Sequence, residues 1–341
     1  MDKYNQLGIP LRLMETLSGN HFSTLYKYAQ SNNILPMPSL SKRKSRYSIE
    51  STRSILKHFC ADKHPINKFK RRIAKFHFKG GTGKSSLAVE ESVILSLMGY
   101  RVLVFDGDQQ GHASNTLGLD YSKKFLTFFD CVKNNLSIKD VVITLFDGLD
   151  CIPANLSLAD VDESLKDLAE DERVKVLDSY LKHIEDNYDF IIFDTGPSIT
   201  ELNRNIFYAA DYINIVCNTH PQSMQSLSHI LEYLERFYER YKRKFPDIMV
   251  IPNIYEDRVS SSIETMTHLK DHWSQYIIPD FAVRKSEDFP RAFLEQTPVS
   301  FFCKVNSIAF EDVSEVVKYI IKNCETKNEN HTASSSASNS E

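Results

Sequence analysis

Cysteine is sparse and unpaired in this sequence. The 341 residues include six cysteines, and no two of them form a C-x-x-C pair. Scattered cysteines of this kind are typical of reduced, buried thiols. The spacing therefore excludes a small secreted domain held together by disulfides.

Long apolar runs and a signal-peptide layout are also missing. No apolar stretch approaches the roughly 18 residues that are needed to cross a bilayer, and the N-terminus has no positive segment followed by an apolar one. We therefore expect a cytoplasmic protein that does not bind membranes. Apolar residues still make up 42% of the chain, enough for two domains with a packed core.

Acidic residues are scarce at the N-terminus. Residues 1–75 contain 15 Lys and Arg against 4 Asp and Glu, whereas the formal charge of the whole chain is −4. The local net charge is therefore +11, on a protein that is otherwise acidic. A basic block of this strength is typical of a surface that contacts nucleic acid.

The pattern inside the basic block predicts a helix–turn–helix. Residues 11–17 and 21–30 have helical spacing, and Ser18-Gly19-Asn20 between them reads as a turn. A basic stretch, 42–48, then precedes a third helix over 49–60. We expect residues 1–70 to form a DNA-binding domain whose removal would leave the rest of the protein active. The side chains predicted to contact DNA are His21, Ser23, Thr24 and Lys27 on the second helix and Lys42, Arg43, Lys44 and Arg46 in the basic stretch.

The remainder of the chain alternates between strand and helix patterns. Several predicted strands are continuous apolar runs, as expected for strands that are covered on both faces. This alternation predicts an α/β domain over 71–324, with a mostly parallel sheet flanked by helices. Residues 325–341 lack apolar periodicity and are predicted to be a disordered polar tail. The predicted strands are 73–78, 101–106, 149–153, 190–194, 212–217 and 248–251, and the main predicted helices are 85–98, 158–186, 222–242 and 308–323.

The strongest motif follows the first of these strands. Its glycines allow backbone N–H groups to point at a phosphate, and the start of the next helix adds a positive dipole end. Lys84 can then reach the phosphates, and the Ser85 hydroxyl can bind Mg²⁺. Lys79 gives the loop a second lysine, at its beginning. The predicted nucleotide-binding residues are Lys79, Gly80, Gly81, Thr82, Gly83, Lys84, Ser85 and Ser86.

Two further strands end in carboxylates. Asp106 and Asp108 follow a buried strand, and two acids so close in sequence need a nearby cation to offset their repulsion. Asp194 follows four apolar residues, as in a Walker-B strand. Because ligands of parallel sheets gather at the carboxyl ends of the strands, all three acids are expected at one magnesium–nucleotide site.

These motifs resemble those of the ParA/MinD deviant-Walker ATPases. The resemblance covers roughly residues 72–322 and includes the early lysine, D-x-D-x-Q-G, D-T-x-P-S and a V-R-x-S-E stretch at 283–287. The N-terminal layout is similar to the winged helix–turn–helix modules of the larger partition ATPases. The sequence departs from the common family pattern at Gln109, His112 and Gly196.

The resemblance implies a role for each matching residue. Lys79 would cross an ATP-sandwiched homodimer to the partner's phosphates, and Asp108 would position the attacking water. Asp106 and Asp194 would belong with the Mg²⁺ and its water shell, and Asn253 would contact the adenine. The resemblance also implies DNA binding by Arg284 and Lys285. It implies weak ATP hydrolysis stimulated by a ParB-like centromere-binding adaptor, DNA segregation on the nucleoid, and autoregulation of the operon.

Other functions remain as alternatives. A MinD-like membrane cycler needs a basic amphipathic helix at its end, and the predicted tail is neutral and polar. An iron–sulfur ATPase needs paired cysteines, and a small-molecule kinase would not need Lys79. The strongest alternative is a DNA-binding transcriptional repressor with a vestigial ATPase fold, which predicts a damaged nucleotide site.

Overall fold

The computed structural model describes residues 2–38, 46–64, 71–119 and 124–337. The N-terminal module, residues 2–38 and 46–64, contains four helices and a small antiparallel sheet that pairs Gly8 with Ser48. Its elements are α1 (Asp2–Asn5), β1 (Gly8–Pro10), α2 (Leu11–Ser18), α3 (Phe22–Ser31), β2 (Arg46–Ser48) and α4 (Ile49–Phe59).

The α/β domain follows from residue 71. Its strands are β3 (Arg71–Phe76), β4 (Val102–Gly107), β5 (Ile143–Phe146), β6 (Leu149–Ile152), β7 (Phe190–Thr195), β8 (Tyr212–Asn218) and β9 (Asp247–Asn253). Its helices are α5 (Lys84–Leu97), α6 (His112–Thr116), α7 (Phe128–Asn134), α8 (Val161–Leu165), α9 (Glu170–Arg173), α10 (Val176–Leu181), α11 (Glu201–Ala209), α12 (Pro221–Arg240), α13 (Ser260–Trp273), α14 (Asp288–Leu294), α15 (Val299–Phe302) and α16 (Ile308–Ala337). Short 3₁₀ turns occupy Ile138–Val141, Leu156–Asp160 and Glu185–Asn187.

The seven strands of the domain form one sheet in the order β5-β6-β4-β7-β3-β8-β9. Every neighbouring pair is parallel except β5 and β6, which are antiparallel. Strands β4 and β7 are buried along their whole length, because helices cover both faces of the sheet. This architecture confirms the predicted fold class and all six predicted strands of the domain, but the edge strand β5 was not predicted.

Two apolar clusters cover the two faces of the sheet. One contains α11 and α12. The other contains α5 and α16, and it also takes in buried side chains of the N-terminal module such as Leu13, Leu25 and Leu56. The N-terminal module therefore packs into a core that it shares with the α/β domain.

The predicted helix over 158–186 is wrong, because the structure breaks this segment into several short pieces. Asn205 of α11 explains the break between α9 and α10. Its amide donates to the carbonyl of Arg173 at 2.9 Å and accepts from the backbone N–H of Leu177 at 3.0 Å. A buried side chain thus replaces the hydrogen bonds that would continue a helix.

The final helix also differs from the prediction. It was expected to end at residue 323, but α16 continues to Ala337 through most of the segment predicted to be disordered. Among the described residues, no helix combines the length and apolar character required to span a bilayer.

Helices α2, α3 and α4 lie where the helix–turn–helix pattern placed them, whereas α1 was not predicted. Gly19 follows α2 with a φ of 66°, in the left-handed region that favours glycine, and the imidazole of His21 caps the start of α3. Lys42, Arg43 and Lys44 lie outside the described residues, so the wing and the DNA-binding role of this module remain predictions.

Candidate active site

A cavity of about 890 Å³ lies at the carboxyl edge of the sheet, between the glycine-rich loop and α14. Parallel strands deliver their terminal side chains to this edge. The lining brings together Asp108, predicted to position the attacking water, and most of the predicted nucleotide-binding residues: Gly80, Gly81, Thr82, Gly83, Lys84, Ser85, Ser86 and Asn253.

The loop needs its glycines. Gly81 and Gly83 have φ values of 71° and 90°, in the region that other residues rarely adopt. A Cβ atom on Gly83 would also lie 2.2 Å from the amide nitrogen of Asn253. That amide donates to the carbonyl of Thr82 at 2.7 Å, so Asn253, at the end of β9, braces the loop as well as lining the cavity.

The two lysines of the loop are connected through its backbone. The ammonium group of Lys84 donates to the carbonyl of Lys79 at 3.1 Å, and the N–H of Lys79 donates to Nδ1 of His77 at 3.0 Å. Burial lowers the pKa of Lys84, and the nearby Asp194 and Asp108 partly offset this shift. Lys84 thus lies at the base of the loop, facing two carboxylates.

Asp106 is fixed by the helix that follows it. One of its oxygens accepts from the N–H of Ser114 at 2.8 Å and from the Ser114 hydroxyl at 2.7 Å, and the other accepts from the N–H of Asp108 at 3.2 Å. Burial raises the pKa of Asp106 to about 6, although these hydrogen bonds favour the ionised form. Its oxygens are already occupied, an arrangement that suits holding water around a cation better than direct ligation.

Asp194 is completely buried, and neither of its carboxylate oxygens has a partner at full hydrogen-bonding geometry. Burial and the neighbouring Asp106 raise its pKa to about 8, while the Ser85 hydroxyl and Lys84 act in the opposite direction. An unsatisfied buried carboxylate is costly unless a cation or a donor completes it.

The donor set fits Mg²⁺. Hard divalent cations prefer carboxylate and hydroxyl oxygens together with water, and Ser85, Asp106 and Asp194 supply these groups beside the phosphate loop. The unsatisfied oxygens of Asp194 are the observation that favours a cation at this position.

Asp108 has a different environment, because it is only partly buried and lines the cavity. Its carboxylate accepts from the N–H of Gln110 at 3.0 Å. A Cβ atom on Gly196 would lie 3.7 Å from the carboxyl carbon of Asp108. Glycine at position 196 therefore leaves the space beside this carboxylate free of a side chain.

Comparison with known families agrees with this geometry. Residues 70–246 match the family model AAA_31, described as "AAA domain", and this range is about half of the chain. The chain belongs to the AAA domain family.

Curated relatives of this AAA domain protein include two named bacterial proteins. The cell division protein PomZ of Myxococcus xanthus is 28% identical over 261 residues, which is 76% of this chain and 81% of PomZ. The chromosome partitioning protein ParA of Caulobacter vibrioides is 27% identical over 210 residues, which is 61% of this chain and 78% of that protein. Both support the resemblance to ParA-type ATPases.

Solved structures share the fold of the AAA domain protein. McdA of Cyanothece, without nucleotide, superposes with a TM-score of 0.65 at 22% identity, over 74% of this chain and 99% of McdA. Cobyrinic acid a,c-diamide synthase of Mycobacterium smegmatis, with ADP and magnesium bound, superposes with a TM-score of 0.64 at 18% identity, over 74% and 95%. At these identities the comparison shows the fold alone.

The side chains predicted to bind DNA occupy two different settings in the AAA domain protein. Thr24 and Lys27 of α3 are exposed, as is His21 at its N-cap, and Ser23 is partly buried beside His21. Arg46 instead points towards the α/β domain, where its guanidinium donates to the carbonyl of Phe301 at 3.3 Å. The geometry leaves α3 free to meet a ligand but engages Arg46 internally.

Arg284 and Lys285 line the cavity and form ion pairs with acids of the same chain. Arg284 contacts Asp312 at 2.5 Å and Glu311 at 3.0 Å, and these acids raise its pKa. Lys285 contacts Glu256 at 3.2 Å. DNA binding by this pair remains a prediction, and it would have to compete with these contacts.

The structure also adds residues that the sequence did not single out. His77 accepts from the loop backbone, and Ser114 orients Asp106. Phe289 and Phe293 of α14 give the cavity an apolar wall opposite the loop. Ser114 could have been suspected from the sequence, because it lies three residues after the D-x-D-x-Q-G motif. The position of α14 depends on tertiary packing, and no local sequence pattern indicates it.

Proposed function

We propose that this protein is an ATP-hydrolysing member of the ParA-like group that partitions or positions DNA cargo. The observation that carries the proposal is the buried, unsatisfied carboxylate of Asp194 beside Ser85, on the edge of the sheet that holds the loop of Lys79 and Lys84. The relatives named for chromosome partitioning and cell division support the cellular role.

Each group of the site has a task in this proposal. The loop N–H groups and Lys84 bind the phosphates, and Ser85, Asp106 and Asp194 hold Mg²⁺ and its water. When bound, Mg²⁺ would neutralise charge on the phosphates. Asp108 faces the open part of the cavity, where it would orient the attacking water.

Hydrolysis by the isolated chain should be slow. Arg284 lines the cavity, but its guanidinium is engaged by Asp312 and Glu311. Stabilisation of the negative charge in the transition state would therefore come from another molecule. In related phosphoryl-transfer reactions an arginine finger from a partner protein has this role. We propose Lys79 of a second copy in an ATP-bound homodimer and a ParB-like adaptor as the two sources, with nonspecific DNA binding to the dimer on the nucleoid.

Lys84→Ala tests the proposal. The substitution should abolish binding of a fluorescent ATP analogue, because the phosphates lose the cation at the base of the loop. Asp108→Ala should retain analogue binding and lose hydrolysis. The matched control is Lys166→Ala, since Lys166 is an exposed lysine that pairs with Glu163 on the surface. Unchanged binding by Lys84→Ala would refute the proposed nucleotide site.

A second candidate is a transcriptional repressor that has lost ATP hydrolysis, and the exposed residues of α3 favour it. The two functions are separated by measuring ATP-analogue binding, ATP hydrolysis and DNA binding of the wild-type protein. A wild-type protein that binds the DNA upstream of its own gene, but neither binds nor hydrolyses ATP, would support the repressor.

A further inference from the structure

Two short helices, α6 and α14, form one wall of the cavity. They are tied to each other, because the amide of Asn115 donates to the carbonyl of Phe293 at 3.2 Å and accepts from the amide of Gln296 at 3.1 Å. The rings of His112 and Phe293 meet edge-on with centroids 5.4 Å apart. The two helices should therefore move as a unit against the phosphate loop.

The first helix of the chain holds the outer ends of this wall. The ammonium group of Lys3 donates to the carbonyl of Gln296 at 2.6 Å and to that of Glu295 at 3.2 Å, just after α14. The hydroxyl of Tyr4 donates to the carbonyl of Leu117, just after α6, at 2.8 Å. Only 5% of Tyr4 is exposed. Helix α1 thus bridges the ends of both wall helices.

Two arginines of the N-terminal module also donate hydrogen bonds to backbone carbonyls in or just after other helices of the α/β domain. Arg53 of α4 donates to the carbonyls of Ser96, in the last turn of α5, and of Tyr100, the latter at 3.1 Å. Arg46 donates to the carbonyl of Phe301 in α15 at 3.3 Å. The last carbonyls of a helix lack intrahelical partners and carry negative dipole charge, so donors and cations stabilise these ends.

We propose that the N-terminal module is a structural part of the nucleotide pocket, with Lys3 and Tyr4 as positioning residues that hold the α6–α14 wall against a bound nucleotide. The inference rests on the proposed function only in taking a nucleotide as the ligand of the cavity. It follows that part of the positive charge at the N-terminus serves the ATPase fold and not DNA. Loss of the α1 contacts should loosen the wall and let the nucleotide leave faster.

The test compares full-length variants by stopped-flow fluorescence with a fluorescent ADP analogue and Mg²⁺. Lys3→Met with Tyr4→Phe should raise the dissociation rate about five- to tenfold, as expected for the loss of three hydrogen bonds, two of which are exposed, and leave the association rate nearly unchanged. Lys3→Arg with native Tyr4 keeps a donor at the same carbonyls and should restore slow dissociation. The matched control is Lys63→Met with Tyr26→Phe, two exposed side chains of the same module.

Each outcome decides a separate point. If the wild-type protein binds no ADP analogue, the proposed function fails. If the wild type binds and the double variant releases the analogue at the wild-type rate, the role of Lys3 and Tyr4 is overturned. If the double variant does not fold, Tyr4→Phe alone retains the packed ring, and it should still speed release two- to threefold; an unchanged rate overturns the inference equally.

Discussion

Glu90 shows how a single buried residue can link two parts of this fold. It lies in α5, and its carboxylate accepts from the N–H of Val299 at 2.6 Å and from the N–H and hydroxyl of Ser300 at 3.3 Å and 3.1 Å. These contacts cap the start of α15, where an acidic group is favourable. Burial raises the pKa of Glu90 to about 7, and the hydrogen bonds only partly offset the shift.

Glu90 should make stability depend on pH. Its pKa rises from 4.5 to about 7 in the native state, so the native protein binds more protons than the unfolded chain between these values. Its contribution to the free energy of unfolding is therefore present at low pH and decreases as pH rises through this window, by on the order of 3 kcal/mol. Urea denaturation at several pH values measures the free energy of unfolding of the wild type and of Glu90→Gln. The wild type should lose stability relative to Glu90→Gln as the pH increases.

The control for that series is Glu315→Gln, since Glu315 is an exposed acid paired with Lys318 on α16. Its difference from the wild type should change little with pH. A difference between the wild type and Glu90→Gln that stays constant from pH 4.5 to 7 would contradict the role of burial at Glu90.

Lys79 should matter only when two subunits meet. It begins the loop and is half-buried, whereas Lys84 already occupies the base of the loop in the same chain. We expect Lys79→Ala to retain ADP binding by the monomer and to lose the ATP-dependent homodimer. Light scattering with ATP and Mg²⁺ measures this directly, and an unchanged dimer fraction would show that Lys79 acts within its own subunit.

At the scale of elements, local patterns predicted the strands better than the helices. Short continuous apolar runs such as β4 and β7 are typical of strands in a sheet that is covered on both faces, so these strands could be located from the sequence. The break between α9 and α10 depends on Asn205, from a different helix, and could not be read from the segment itself. The phosphate loop and the three acids were predictable because strand ends converge, whereas the wall formed by α14 required the tertiary structure.

Helix α3 is the element expected to read operator DNA. The exposed Thr24 and Lys27 face away from the buried Leu25 and Ala29, so they are available to base edges in a major groove. Thr24→Ala with Lys27→Ala should weaken binding to the DNA upstream of the gene by about 10- to 100-fold. Footprinting at fixed salt measures the loss.

The control for α3 is Lys139→Ala, an exposed lysine of the α/β domain. It removes the same charge elsewhere and should leave the footprint intact. Equal protection of the upstream DNA by the α3 variant would mean that this helix does not read sequence, and the basic module would then have mainly a structural role.

At the scale of the whole molecule, the N-terminal module and the α/β domain share one core. Side chains of α2, α3 and α4 belong to the same apolar cluster as those of α5 and α16. Composition and charge mark this module as separate, and on that basis its removal was expected to leave activity intact. The shared cluster leads to the opposite expectation, since burial of apolar area is the main source of stability.

Deletion of residues 1–64 should therefore damage the fold. The remaining chain would expose the apolar surface of α5 and α16, and we expect a lower melting temperature, aggregation and loss of ATP hydrolysis. Circular dichroism and light scattering measure these effects, with deletion of residues 325–341 as the control that should leave both unchanged. A soluble truncated protein with wild-type melting and hydrolysis would show that the module is dispensable.

Gly148, in the turn between β5 and β6, has a φ of 88°, and a Cβ atom there would lie 2.1 Å from the guanidinium carbon of Arg53. The turn glycine lies within the segment matched by the AAA domain model, whereas the arginine precedes it. The requirement for glycine at position 148 therefore arises partly from a residue that lies outside the matched domain. Across homologues, an arginine at position 53 should be inherited together with glycine at position 148, and lineages without the N-terminal module should tolerate other turn residues such as asparagine there.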